Sequence, residues 1–477
     1  MPNIKKFICV YFSIVILLTM VAAAGAKECN GNCAVLVSDN NSATIHLNSL
    51  YAGGNYYQAN FRLAPNPPGE DGLFFELSDY GYSEQADDNC SAWDPETQTI
   101  HISSLLIGET CYWADLFFRS DLELFQLVDW CHHGLDIFGS AFTAVDGFGD
   151  WKENLDKVSG FSNLAMVASD GNSVMEIALG DAQKIRATAA HGMKSLVVAT
   201  NILFVADFDE SGVLKNIRLR DDCRQRLAEY KFWFRICGVK PGDIWGFYIL
   251  DEPYWVAIQY GIGIGEMKKM LNSAIGEIKQ RFPDMLVIGV IAVTREDLEQ
   301  ESVFGFPVPP NAVEEYGMPN FDIVGFDLYW SQFHIYNYEQ NLQTFFEVWA
   351  IYMENLTEFL LPGQKIVLVP GTYIGEIPIT TEEFLALANF YYNAARTDSL
   401  IEAIVLFLWT WPEESPNKGL RDLSPKVREA WREIGTKIKR IDSKTGRVRQ
   451  DATPFFYLRQ TAVFSKIAVS HKQEVKI

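Results

Sequence analysis

"WGFYILDEPYW", residues 245–255, runs apolar and aromatic side chains straight into two adjacent carboxylates and a proline. The stretch Ile244–Leu250 has the length and composition of a buried strand, and Pro253 cannot extend a hydrogen-bonded ladder, so a strand ends here. Side chains alternate along a strand. Glu252 therefore shares a phase with Leu250, Tyr248 and Gly246, and Asp251 with Ile249, Phe247 and Trp245. The bulky set is expected to face surrounding helices and the set containing Gly246 an interior. That phase points Glu252 inward and leaves Asp251 beside it, as a helix cap or a brace.

Outward from this strand the chain alternates short apolar runs with amphipathic stretches. The strands are expected at Leu135–Phe142, Leu164–Ala168, Ser195–Thr200, Ile244–Leu250, Leu286–Val293, Ile323–Tyr329, Ile366–Val369 and Ala403–Trp409. Helical patterns cover Ser173–Ala190, Asp221–Ile236, Ile264–Arg281, Glu339–Leu360, Thr381–Ala395 and Pro425–Ile438, several with start signals such as "TTEEF" and "SPKVREAW". Eight strands with crossovers over residues 134–440 fit a (β/α)8 TIM barrel, an α/β fold. The long Pro- and Glu-rich connection from Thr294 to Asn320 reads as a loop over the barrel mouth.

Barrel chemistry sits at the C-terminal strand ends, and here those ends carry acids and aromatics. Asp146, Asp170 and Asp207 follow strands 1, 2 and 3; Asp251-Glu252 end strand 4. Asp327-Leu328-Tyr329-Trp330 end strand 6, and Trp409-Thr410-Trp411 end strand 8. Asp327 shares a phase with Gly325 and Ile323 and is expected to point inward. An acidic mouth lined by aromatics suits a polyhydroxylated, uncharged ligand, because carboxylates accept from hydroxyls and ring faces stack on sugars. No phosphate-binding loop is present: Gly261, Gly263 and Gly265 lack the preceding strand and the lysine.

The first third carries a repeat. "TIHLNSLYAGGNYYQANFRL" (44–63) and "TIHISSLLIGETCYWADLFF" (99–118) share eight of twenty aligned positions at an offset of 55 residues. Each copy reads as a strand, a glycine turn and a returning strand, followed by one further strand. A small all-β module of two similar units is expected over residues 30–130. The matched histidines, His46 and His101, read as polar positions on a strand face.

The 477 residues carry a net charge of −21 at pH 7, which argues against nucleic acid as a partner. The exception is the basic tail, 441–477; from Asp442 it holds seven Lys/Arg against three acids. At the N-terminus, Lys5 and Lys6 precede the apolar run Phe7–Ala24 and a small-x-small "AGA". Residues 1–26 are read as an export signal, with no stable membrane insertion after cleavage and a periplasmic or secreted destination. Export permits disulfides. Cys29 with Cys33 and Cys90 with Cys111 are candidate pairs, whereas Cys223 and Cys237 lie about 21 Å apart on one helix. No cysteine–histidine spacing resembles a zinc site, and neither a metal nor an organic cofactor is implied.

The barrel as a whole resembles the TIM-barrel glycoside hydrolases. Their large retaining clan carries its acid/base Glu at the end of strand 4, often as Asn-Glu-Pro, and "LDEPYW" looks like a variant of that motif. The chain is also similar to exported bacterial barrel proteins with "DEP" on strand 4, "GFD-Y" on strand 6, "IVLVPG" on strand 7 and "FLW…GLRDL" near the end. The resemblance implies a carbohydrate substrate and Glu252 as acid/base. Asp327 or Glu376 would be its partner, with Asp251 positioning Glu252. Tyr254, Tyr329, Trp330, Trp409 and Trp411 would line sugar subsites. The departure is at strand 7, where the clan's nucleophilic Glu is replaced by Pro370-Gly371-Thr372 and the nearest acid is Glu376. That gap motivates an alternative, a non-catalytic carbohydrate- or surface-binding barrel. Oligomeric state is not legible from these residues.

Overall fold

The computed structural model describes residues 34–39, 42–52, 55–68, 70, 72–83, 91–107, 110–132, 135–208, 214–292, 317–329, 338–374, 379–410 and 418–441. The expected export signal, Cys29, Cys33, Cys90, most of the mouth loop and the basic tail from Asp442 lie outside them. Among the described residues no helix is long and apolar enough to cross a membrane. The chain divides into two compact units, the second comprising Leu135–Ala395 and Leu400–Asp442.

The first unit is one eight-stranded sheet: β1 (Ala34–Asp39), β2 (Ser42–Ala52), β3 (Asn55–Ala64), β4 (Phe74–Tyr82), β5 (Ser91–Asp94), β6 (Thr99–Ile107), β7 (Thr110–Arg119) and β8 (Leu124–His132). The order is β1-β2-β3-β4-β8-β7-β6-β5, and the sheet closes through β1–β6 and β2–β5. Both closures are parallel and relate the two repeats reciprocally. The repeats even share a defect. Register slips between Leu47 and Leu50 in one copy, and between Ile102 and Leu105 in the other. Equivalent positions fill the core: Ile45, Leu47, Ala59 and Phe61 match Ile100, Ile102, Ala114 and Leu116. The paired histidines play matched structural parts. His46 Nδ1 lies 2.7 Å from Asn60 Oδ1, and His101 Nδ1 lies 2.7 Å from Asp115 Oδ1. Cys111 is disulfide-bonded, to a cysteine outside the described residues.

The second unit begins with β9 (Ile137–Val145), α1 (Trp151–Val158), β10 (Leu164–Ala168), α2 (Val174–Ala190), β11 (Lys194–Val198) and α3 (Thr200–Leu203). A hairpin of β12 (Phe204–Phe208) and β13 (Leu214–Leu219) follows, then α4 (Cys223–Ile236), β14 (Ile244–Asp251), α5 (Pro253–Gln259) and α6 (Ile264–Arg281). The rest is β15 (Leu286–Ala292), β16 (Ile323–Leu328), α7 (Tyr338–Phe359), β17 (Lys365–Pro370), α8 (Thr381–Thr397), β18 (Ile401–Leu406) and α9 (Pro425–Ile441). Strands β9, β10, β11, β14, β15, β16, β17 and β18 close a parallel barrel, the expected (β/α)8 architecture. Its interior is packed by side chains from around the ring, among them Leu164, Leu196, Ile288, Ile323, Val367 and Val405.

Gly246 lies on the interior phase as expected. A Cβ there would stand 2.4 Å from Ile288 Cδ1, so the neighbouring strand fills the space that glycine leaves. Phe247 faces outward against Phe282, with ring centroids 4.9 Å apart. Trp245 departs from its expected outward phase and joins the interior cluster, because β11 and β14 slip register between Ser195 and Leu196. Asp207 does not end barrel strand 3. It lies in the β12–β13 hairpin, within 3.8 Å of Arg218. Cys223 and Cys237 are thiols at opposite ends of α4.

Candidate functional site

Strand β14, which carries Asp251 and runs into Glu252, is bulged near its end. Tyr248 pairs with Ile288 of β15, but the next partnered residue, Asp251, pairs with Val290, so three steps on β14 match two on β15. The extra residue inverts the phase beyond Tyr248. Asp251 therefore turns to the interior side with Tyr248, and the Tyr248 hydroxyl donates to Asp251 Oδ1. Simple alternation, which sets Asp251 apart from the mouth, fails at this bulge.

Glu252 follows directly in the left-handed region, φ 42°. A non-glycine residue there costs on the order of 1–3 kcal/mol, and such positions cluster at functional sites. The conformation joins strand to helix: Glu252 O accepts from Val256 N at 3.0 Å, and Pro253 opens α5. Asp327, at the corresponding height of β16, is only 4% exposed. Its register neighbours are Ala292 on β15 and Val369 on β17.

The three acids are electrostatically coupled. Burial first, then the charge and hydrogen bonding of Asp327, push the Glu252 carboxyl far above the ordinary range. Burial raises Asp327 as well, opposed by its hydrogen bond with Glu252. The Tyr329 side chain also hydrogen-bonds Asp327 and favours its ionised form, leaving the proton to Glu252. One proton is shared by two close carboxyls that cannot both ionise. Asp251 is open to solvent, yet protein crowds its carboxyl closely enough that desolvation, then the Asp327 charge, raise it to about 6.

Aromatic rings flank these acids. Tyr329 stacks on Phe407 with centroids 5.3 Å apart, and Phe142 stacks on Phe148 at 4.4 Å. Phe142 meets Phe407 edge-on at 5.6 Å, and Tyr373 meets Tyr329 at 5.6 Å. All five rings are half-buried. Strand 7 contributes backbone rather than an acid. A Cβ on Gly371 would stand 2.8 Å from Tyr329 Cδ1, so the glycine makes room for that ring.

No protein-family model matches the chain, and no curated protein sequence does. Among solved structures, the chain has distant likenesses. A glucosidase from Croceicoccus marinus has TM-score 0.40 and 15% identity, covering 64% of this chain and 68% of its own. An endoxylanase from Clostridium papyrosolvens has TM-score 0.36 and 14% identity, covering 64% and 72%. A family 1 β-glucosidase from Thermotoga maritima has TM-score 0.40 and 10% identity, covering 65% and 98%. These values describe a distant likeness of chain path, not of site.

Two expected subsite residues are placed elsewhere. Tyr254 is 1% exposed on α5 and donates its hydroxyl to Gly317 O at 2.9 Å. Trp409 is 5% exposed; it packs beside Phe161 and donates its indole N–H to Asn154 Oδ1 at 3.1 Å. The first contact ties α5 to the connection before β16, and the second ties the segment after β18 to α1. Glu376, Trp330 and Trp411 lie outside the described residues. Asp146 is held in an ion pair with Lys184 at 2.7 Å. His191 bonds Asp156 and Ala187 O, a structural role. Phe142, Phe148, Tyr373 and Phe407 do not stand out in the sequence. Their signal is position, since Phe142 and Phe407 both stand at the ends of barrel strands.

Proposed function

We propose that this protein is a hydrolase of glycosidic bonds and that Glu252 is its general acid. The observation that carries the reading is the Glu252–Asp327 carboxyl pair at the C-terminal mouth of the barrel. A carboxyl kept protonated near neutral pH is a proton donor to a leaving oxygen. Carboxyls in direct contact leave no room for a sugar between them, because glycosidases that use two such groups space them at least about 5 Å apart. Asp327 is therefore the partner that keeps the proton on Glu252, not the group acting from the opposite side of the bond. That second role falls to Asp251, ionised above about pH 6 and open to the mouth, or to Glu376. The Tyr329, Phe407 and Phe142 rings supply faces for a sugar. With residues 1–26 acting as an export signal, the substrate would be a glycan outside the cytoplasm.

The test is a polysaccharide panel run on wild type and Glu252→Gln together. Loss of the acid is expected to lower kcat by at least about 100-fold. Hydrolysis undiminished in the variant would remove Glu252 from the mechanism. A second reading, carbohydrate binding without turnover, is favoured by the glycine at the strand 7 end, where the resembled clan carries its nucleophile. Binding without hydrolysis in both proteins would select it.

A further inference from the structure

A cavity of about 630 Å³ opens at the C-terminal ends of β10 and β11, on the same face of the barrel as Glu252. Asp170, Asn172, Asn201, Arg220 and Arg226 give it polar walls, and Ile177 an apolar one. The cavity adjoins the strand that leads into Glu252: Thr200 Oγ1, next to Asn201, donates to Ile249 O of β14 at 2.9 Å.

Two guanidinium groups, those of Arg220 and Arg226, line the cavity against the single carboxylate of Asp170. Neither Arg220 nor Arg226 forms an ion pair among the described residues. Each is instead steadied by a backbone carbonyl: Arg220 Nε donates to Phe204 O at 2.8 Å, and Arg226 Nη2 to Asn201 O at 3.3 Å. Arg226 Nε is buried with no partner among the described residues. Burial and the nearby Arg220 disfavour the charge on Arg226 more than the charges of Asp222 and Glu229 favour it. Such an arrangement is costly unless an anion completes it. It is also out of keeping with a chain of net charge −21, which has no general excess of arginine to place at random.

The remaining walls narrow the ligand. Asp170, Asn172 and Asn201 are partners for hydroxyls, and a carboxylate in the wall disfavours a free multiply charged phosphate. We propose that this pocket is a subsite for a sugar unit bearing one anionic substituent, a carboxylate or a sulfate ester, on the glycan whose bond is cut at Glu252. The proposal rests on the glycosidic reading of the barrel mouth, and its substrate class is an acidic polysaccharide.

The test is calorimetric binding by the full chain in the Glu252→Gln background, so that turnover plays no part. The probes are oligogalacturonate with its methyl ester, and a carrageenan oligomer with its desulfated form. At least one charged oligomer is expected to bind on the order of tenfold tighter than its neutral counterpart. That ratio should fall to near one in Arg220→Gln/Arg226→Gln. It should also fall in Asn201→Asp, which keeps both arginines and adds a repelling charge. Preference for the uronate pair assigns a carboxylate, and for the carrageenan pair a sulfate. Equal binding of charged and neutral forms, or a ratio unchanged in both variants, overturns the subsite. Hydrolysis of neutral glycans with no charge preference would do the same while leaving Glu252 in its role. No hydrolysis of any glycan by the wild type, with the charge preference intact, would overturn the catalytic reading alone.

Discussion

In the proposed mechanism Asp327 acts as a neighbour of Glu252 and not as a nucleophile. Its charge adds to burial in raising Glu252, so replacing it by an amide removes that charge and leaves burial and the Asp251 charge to keep Glu252 protonated. In Asp327→Asn the alkaline limb of kcat/KM is expected to move to lower pH, toward the ordinary carboxylate range. An alkaline limb at the wild-type position would mean that the two carboxyls are not coupled. Where Asp251 takes the second role, the acid limb reports that group, raised to about 6, and is expected to move down as well, since Asp327 also raises it. At this scale the sequence is legible in part. The inward phase of Asp327 follows from alternation alone. The orientation of Asp251 does not, because one extra residue between Tyr248 and Asp251 inverts the pattern, and a bulge is decided by the neighbouring strand.

Barrel strands tolerate little at their glycines. Gly246→Ala would set a Cβ 2.4 Å from Ile288 Cδ1 and 2.7 Å from Leu286 O, and the carbonyl belongs to a paired strand that cannot withdraw. A loss of about 1–3 kcal/mol in unfolding free energy is expected, read as a lower urea midpoint. Gly276→Ala, in the middle of α6 with nothing within 4 Å, is expected to gain up to about 1 kcal/mol instead. Equal effects from the two would mean that packing at Gly246 is not what restricts it. All eight barrel strands are legible because apolar runs of strand length alternate with helical periodicity. The first crossover helix, α1, escapes notice because "WKENLDKV" is short and largely polar. The β12–β13 hairpin escapes because it interrupts the expected crossover, which is why Asp207 reads as a strand end in the sequence.

Across the molecule, buried acids make folding depend on pH in an unusual direction. Asp181, fully buried on α2 beneath the Tyr230 hydroxyl, is raised by desolvation to about 7. Asp251, Glu252 and Asp327 are raised too. Each binds its proton more tightly folded than unfolded, so its contribution is complete below about pH 4 and is lost as pH climbs through the folded value. For Asp181 alone that is on the order of 4 kcal/mol between the two limits. The urea midpoint is expected to fall from about pH 5 to about pH 8, and less steeply in Asp181→Asn. A midpoint that rises over this range would mean that folding does not tighten proton binding at these acids. The reciprocal strand pairings of the first unit bear on a different matter. Closure of that sheet is the same handshake made twice, β1 with β6 and β2 with β5. Each half lends one strand to the edge of the other, so neither half closes without its counterpart.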